Sequence, residues 1–265
     1  MNKCKSLTFH SQIIAPEFNG GFKSATAMFS NFYPNSNLGL NLFIQNDISP
    51  NFIFNNSTIS SSLIYNIKIS QNLNFSPWIQ PQIKLLFINP NKIILGSMLD
   101  YNTGQIISSA DYHPQNALNY RVNLNFGFLF FSKNFFLGLN TQFIPLSSEP
   151  ITKKFSFWTT TGLKFNISQN TLSIVNNNIN LNNNQILLIY ETKKLWVGSN
   201  LNFFKTYLTK IGVDLGLKFR KYSMAFNYTI FAPGLLANSF ELSIIFKFHC
   251  KKYNFNTIFC PAYQL

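Results

Sequence analysis

The groups able to do acid–base, nucleophilic or metal chemistry in this 265-residue chain are eight carboxylates and three histidines. The acids are Asp47, Asp100, Asp111, Asp214, Glu17, Glu149, Glu191 and Glu241; the histidines are His10, His113 and His249. A metal centre needs three or four such donors at short, regular spacing, and no two of these groups fall at one. A hydrolase needs a serine beside a histidine that a third polar group orients. His113 sits beside Asp111 and Pro114 in a long polar stretch and reads as a solvated loop residue. His249 follows the last apolar segment and reads as a rim residue. There is no glycine-rich phosphate loop and no nucleophile elbow. The residues therefore predict no enzyme, no cofactor and no metal.

A second set of charges is more informative. Arg121, Lys164, Lys210, Asp214, Lys218, Glu241 and Lys247 all fall on the polar parity of segments whose other parity is apolar. Charges in such segments are costly unless they face water or one another. Asp214 and Glu241 are placed to neutralise Lys210, Lys218 and Lys247. The set reads either as an ion-pair network that stiffens a filled interior or as a weakly anion-attracting pore. Phe136, Trp158 and Trp196 share the polar parity, which favours the filled interior and predicts little steady current.

Alternating segments must carry these residues. In "LNYRVNLNFGFLFFSKNFFLGLNTQF" (118–143) the even positions up to Phe130 are Leu, Tyr, Val and Phe, and Asn, Arg, Gly and finally Leu129 fall between them. The same period of two recurs over 22–32, 37–46, 59–69, 73–86, weakly over 92–98, and over 118–131 and 134–145. It continues over 155–166, 171–177, 185–191, 195–204, 208–219, 221–231 and 239–249. That makes about fourteen strands, most of them about 9–12 residues long, which suits a tilted strand crossing a bilayer. A soluble sandwich has shorter strands and a charged outer face. Here only 11% of residues are charged, and Asn and Ser carry the polarity. The fold class is all-β: an antiparallel transmembrane barrel of outer-membrane type, apolar outside and polar inside, closed because lipid tolerates no free edge. Its outer surface implies outer-membrane lipid as a partner.

The implied organisation is an N-terminal periplasmic segment (1–21), a barrel (22–249) and a periplasmic tail (250–265). Counting from a periplasmic start, the long connections 99–117, 146–154, 178–184 and 232–238 lie outside, and Ser132-Lys133, 192–194 and Arg220 lie inside. The long connection 47–58 falls on the short-loop side and breaks that rule. Pro77 and Pro81 share a face of 73–86 and predict a bulge or interrupted pairing.

The formal charge is +13, but the basic residues come in scattered pairs rather than a patch, which argues against nucleic-acid binding. No run of about 18 apolar residues predicts a transmembrane helix, and the N-terminus has no signal-peptide core, so export implies a leader already removed. Cys250 and Cys260 flank "KKYNFNTIF"; in an oxidising compartment this spacing permits a disulfide, with Cys4 an alternative partner and free thiols a third state.

Four stretches, in order along the chain, resemble the PorP/SprF family. "IIAPEFNGG" (13–21) is similar to the family's opening segment, with Pro16, Phe18 and Gly20 at matching positions. "FGFLFFSKNFFLGLNTQFIPLSSEP" (126–150) resembles its central hairpin, and "NSFELSIIFKF" (238–248), containing Glu241, its last strand. "FHC...FCPAY" (248–263) resembles its cysteine-containing tail, with Pro261 matched. The chain departs from the family in its low glycine content and in Asn238 before Ser239-Phe240-Glu241. The resemblance implies an outer-membrane barrel of a Gram-negative bacterium of the Bacteroidota. It implies work with the type IX secretion and gliding machinery, on a large adhesin bearing a C-terminal secretion domain. A periplasmic peptidoglycan-binding lipoprotein is a further implied partner. The alternative function is an outer-membrane porin or small-solute channel.

Overall fold

The computed structural model describes residues 5–14, 21–89, 117–147, 155–179, 183–205, 207–231 and 238–248. Fourteen long strands run up and down: β1 (Lys5–Ile14), β2 (Phe22–Tyr33), β3 (Leu38–Ile48), β4 (Phe54–Tyr65), β5 (Asn74–Ile88), β6 (Ala117–Phe131) and β7 (Phe135–Ser147), then β8 (Phe155–Ile167), β9 (Asn170–Ile179), β10 (Asn183–Glu191), β11 (Leu195–Phe204), β12 (Tyr207–Lys218), β13 (Tyr222–Phe231) and β14 (Asn238–Phe248). Each pairs antiparallel with its sequence neighbours, and β14 pairs with β1 from Lys5↔Phe248 to Ile14↔Ser239. The ring is closed, as lipid requires of any sheet that spans it.

The period of two fixes which side chains meet lipid. Phe9, Leu42, Ile59, Ile83, Phe126, Phe157, Val213 and Leu242 face outward and stay exposed, while their neighbours in sequence face the lumen. Several aromatic clusters of this face lie at its two ends. Phe75, Phe128 and Phe130 cluster near one end, with centroids 4.7–5.8 Å apart. Phe219 stacks on Tyr222 at the same end. At the other end Phe143 stacks on Phe155, and Tyr228 packs against Phe240. These are placed as the aromatic girdles that flank the apolar band of a membrane barrel at its two interfaces.

Lys5–Ile14 corrects the sequence reading, which placed 1–21 in a periplasmic segment. Its alternation is modest: Leu7, Phe9 and Ile13 face out, but Ser11 interrupts them and Ser6, Thr8, His10 and Gln12 face in. What makes it a strand is the edge of β14 that it covers. The segment 92–98, expected as a weak strand, lies outside the described residues. Starting the count at β1 moves every early connection to the opposite end. The long connection 47–58 shrinks to 49–53, a 3₁₀ turn (Pro50–Phe52), and joins the end that carries the long connections. The connection 47–58 is therefore no longer an exception, and 66–73, which includes the two-residue strand Ile67–Lys68, is the longest at the other end. The other end carries only the connections 34–37, 66–73, 132–134, 168–169, 192–194 and 219–221.

Pro77 and Pro81 act as expected. Both face outward on β5, so the backbone nitrogens of both aim at β4, where proline has no hydrogen to give. The β4–β5 ladder runs from Phe54↔Ile88 to Ser60↔Gln82, skips two pairs at Pro81, and resumes at Leu63↔Ile79 without a change of register. It breaks again at Pro77 and resumes as the two-residue strand Ile67–Lys68. Side chains span both gaps: Gln80 Nε2 donates to Ser60 Oγ at 2.9 Å, and Ser76 Oγ donates to Asn66 Oδ1 at 3.1 Å. On its other side β5 pairs with β6 without interruption. A third proline, Pro145, coincides with the register shift between β6 and β7 near Val122 and Leu124.

Candidate functional site

The lumen is where this chain places its chemistry. All four acidic residues among the described ones, Asp47, Glu191, Asp214 and Glu241, face inward, as do Lys84, Arg121, Lys164, Lys210, Lys218 and Lys247. The seven lumenal charges expected from parity all lie on this wall. Their partners differ from the expected ones, because pairing depends on which strands stand side by side.

Three groups of charge result. On β12–β14, the Asp214 carboxylate accepts from Asn227 Nδ2 and from Asn200 Nδ2 rather than from a lysine. Glu241 accepts from Gln12 Nε2 at 2.6 Å, across the closing seam. Lys210 lies with its Nζ 4.6 Å from the centroid of the Phe231 ring, a cation–π contact. On β3–β6, Asp47 accepts from Ser24 Oγ and Gln45 Nε2, both at 2.7 Å, and Lys84 lies in the field of both Asp47 and Arg121. Near the short-turn mouth, Lys218 Nζ bonds to Glu191 and to the carbonyl of Thr192. Glu191, not Asp214 or Glu241, is thus the counter-ion of Lys218. Lys164 and Lys247 both lie in the field of that pair.

The mouth cluster follows from a short internal repeat that parity alone does not reveal. "SKNFFLGLN" (132–140) and "TKKLWVGSN" (192–200) match in turn, strand start, Gly and Asn, and each is followed by "GLKF", at 162–165 and 216–219. The hydroxyls do the same work in both turns: Ser132 Oγ caps the N–H groups of Asn134 and Phe135, and Thr192 Oγ1 those of Lys194 and Leu195. The last turn residue then accepts from the N–H of the "GLKF" lysine, Asn134 from Lys164 at 2.7 Å and Lys194 from Lys218 at 2.6 Å. Lys221 accepts from Lys247 in the same way at 2.7 Å. The three lysines thereby occupy the last rung of their ladders, one step inside the mouth.

The glycines of the repeat explain how the large rings are stored. A Cβ on Gly162 would lie 2.2 Å from Cζ of Phe136, and one on Gly216 would lie 2.0 Å from Nε1 of Trp196. Each ring rests on the bare backbone of the next strand instead of projecting to the barrel axis. Phe136, with Phe131, Val175, Leu187 and Leu129, forms one apolar patch on the inner wall. Two of the three rings expected to fill the interior, Phe136 and Trp196, thus lie along the wall. Along the rest of the wall, polar side chains are buried against one another: Asn123 donates to Gln82 at 2.8 Å and Asn41 to Ser62 at 3.0 Å.

Among the described residues one nucleophile–base contact occurs, between His10 Nδ1 and Ser243 Oγ at 2.7 Å. Glu241, two residues along the same face, is engaged by Gln12 and not by the imidazole. The contact ties β1 to β14. No group of three His, Cys, Asp or Glu residues able to hold a metal occurs among the described residues. His113, His249, the pair Cys250 and Cys260, and the motif positions Pro16, Phe18, Gly20 and Pro261 lie outside the described residues. Glu241, the remaining motif position, is lumenal.

No family model and no curated protein matches the chain. Among solved structures it is similar to the outer membrane protein Omp33 of Acinetobacter baumannii, with a TM-score of 0.56 and 9% identity over 93% of this chain and 99% of that one. The KdgM porin aligns with a TM-score of 0.42 and 10% identity, over 92% and 99% of the two chains. A triple-mutant Rhodopseudomonas blastica porin aligns with a TM-score of 0.40 and 8% identity, over the same shares. The likeness to Omp33 carries the conclusion the geometry had reached: this chain is a closed, fourteen-stranded antiparallel β-barrel of the outer-membrane type.

Proposed function

We propose that the protein is a water-filled channel that lets small hydrophilic solutes cross an outer membrane. The observation that carries this reading is the wall of the lumen, lined largely by Asn, Ser, Thr, Gln and charged side chains, with the rings of Phe136 and Trp196 laid over Gly162 and Gly216. Size supports it. With strands about 4.8 Å apart and tilted by about 40°, fourteen of them close a ring of roughly 14 Å radius. That lies between barrels of about eight strands, which side chains fill, and those of about 16–18, which hold an aqueous channel. In a planar bilayer the purified protein is expected to give stepwise, ohmic conductance that scales with salt, and sugar-loaded vesicles containing it are expected to swell. A silent bilayer together with unswollen vesicles would reject the channel.

A second reading is supported by the ordered resemblance of 13–21, 126–150, 238–248 and 248–263 to the PorP/SprF family. Under it the barrel is a non-enzymatic partner of type IX secretion in a Gram-negative host and assists surface display of an adhesin. Deleting the gene is then expected to abolish display of one large surface protein; normal display of all of them would remove this reading.

A further inference from the structure

The short-turn mouth is the most strongly charged place in the described molecule. Its connections contribute Lys68, Lys133, Lys193, Lys194, Arg220 and Lys221 and no acidic residue. One step inside, three lysines face a single carboxylate, Glu191, which is already bonded to Lys218. Lys164, Lys218 and Lys247 stand on β8, β12 and β14, each fixed by its N–H bond at the equivalent place beside the preceding hairpin turn. Only their flexible stems remain to move, and Lys164 and Lys247 share the field of the Lys218–Glu191 pair. The strands on either side of Lys164 carry the apolar patch of Phe131, Phe136, Val175 and Leu187, which offers an anion no competing partner beside that lysine.

We infer that Lys164, Lys218 and Lys247 form a transit site for small polyvalent anions of the phosphate type, entered from the short-turn side. The inference rests on the channel reading and names its preferred solute. Three ammonium groups against one carboxylate leave a net charge matched to a dianion rather than to chloride. Lysine binds phosphate as a mobile point charge, without the bidentate fork by which arginine clamps it. That suits a site which must release as well as bind, since conduction fails at a site that holds too tightly. The basic connections around the mouth raise the local anion concentration and therefore the rate of entry, an effect that salt screens.

The test uses the full-length barrel in a planar bilayer carrying chloride current, with inorganic phosphate added to one side at a time. Phosphate is expected to reduce the current, and from the short-turn side at lower concentration. The triple variant Lys164→Gln/Lys218→Gln/Lys247→Gln is expected to raise the half-blocking concentration at least about tenfold, the factor made by roughly 1.4 kcal/mol of binding. Lys23→Gln, outward-facing at the other end, is expected to leave it unchanged. An unchanged half-blocking concentration in the triple variant would overturn the site. Equilibrium dialysis of radiolabelled phosphate against the detergent-folded barrel separates this from failure of the channel. If wild type passes no current yet retains phosphate that the triple variant loses, the site stands and the channel falls. If wild type retains none, the site falls too. Should the triple variant not give the heat-modifiable folded band, Lys164→Gln and Lys247→Gln singly are expected to weaken retention about threefold each; no change in either would overturn the inference.

Discussion

At the scale of the residue, parity assigns each side chain one of two solvents. Phe126 faces lipid near the middle of β6, and its neighbour Asn125 is buried on the lumenal wall, where its Nδ2 reaches Gln80. Phe126→Arg is expected to cost about 2–4 kcal/mol in a folding titration into lipid vesicles. Asn125→Ser, which keeps a polar group on the lumenal side, is expected to cost less than about 1.5 kcal/mol. Equal costs would mean the register is wrong. A second prediction concerns the stored rings. Gly216→Ala puts a methyl group where the Trp196 indole lies and is expected to destabilise the barrel by about 1–3 kcal/mol. Adding Trp196→Ala removes the obstacle, so the double variant is expected to cost less than the two single changes together, with a coupling of about 0.5–3 kcal/mol. Strict additivity in the same titration would show that the ring does not need the glycine. Parity was readable from the sequence at every one of these positions; the ring-on-glycine contacts were not, because they need to know which two residues the register sets side by side.

At the scale of the element, the weakest ladder is β4–β5. Its interruptions are caused by missing donors and not by strain, since the register is the same on both sides of each gap. Pro81→Thr restores an N–H aimed at β4 and is expected to stabilise the barrel by about 0.5–1.5 kcal/mol, read as a shift of the urea midpoint. Amide exchange at Ser61, opposite position 81, is expected to slow in the same variant. A lower midpoint would mean that the prolines hold the strand in a shape threonine cannot keep. The prolines themselves were legible in the sequence as an interruption. Which neighbour loses its ladder was not, because that follows from the outward parity of both residues together with the strand order.

At the scale of the whole molecule, closure decides. Removing Lys5–Ile14 leaves β14 and β2 with free edges in lipid and is expected to abolish the heat-modifiable folded form on gels, although the segment supplies only one strand of fourteen. A deletion that still folds would show that β14 finds β2 directly. The same closure explains what could be known in advance. The sequence by itself determined the all-β class, the apolar outside and polar inside, and the lumenal side of Arg121, Lys164, Lys210, Asp214, Lys218, Glu241 and Lys247. Those properties need only the period of two and the composition, both local. The tertiary structure alone decided that Lys5–Ile14 is a strand, that Glu191 holds Lys218, and that Gln12 holds Glu241 from 229 residues away. Each of these depends on the order in which strands close a ring, and a bond between the first strand and the last leaves no trace in the pattern of either one.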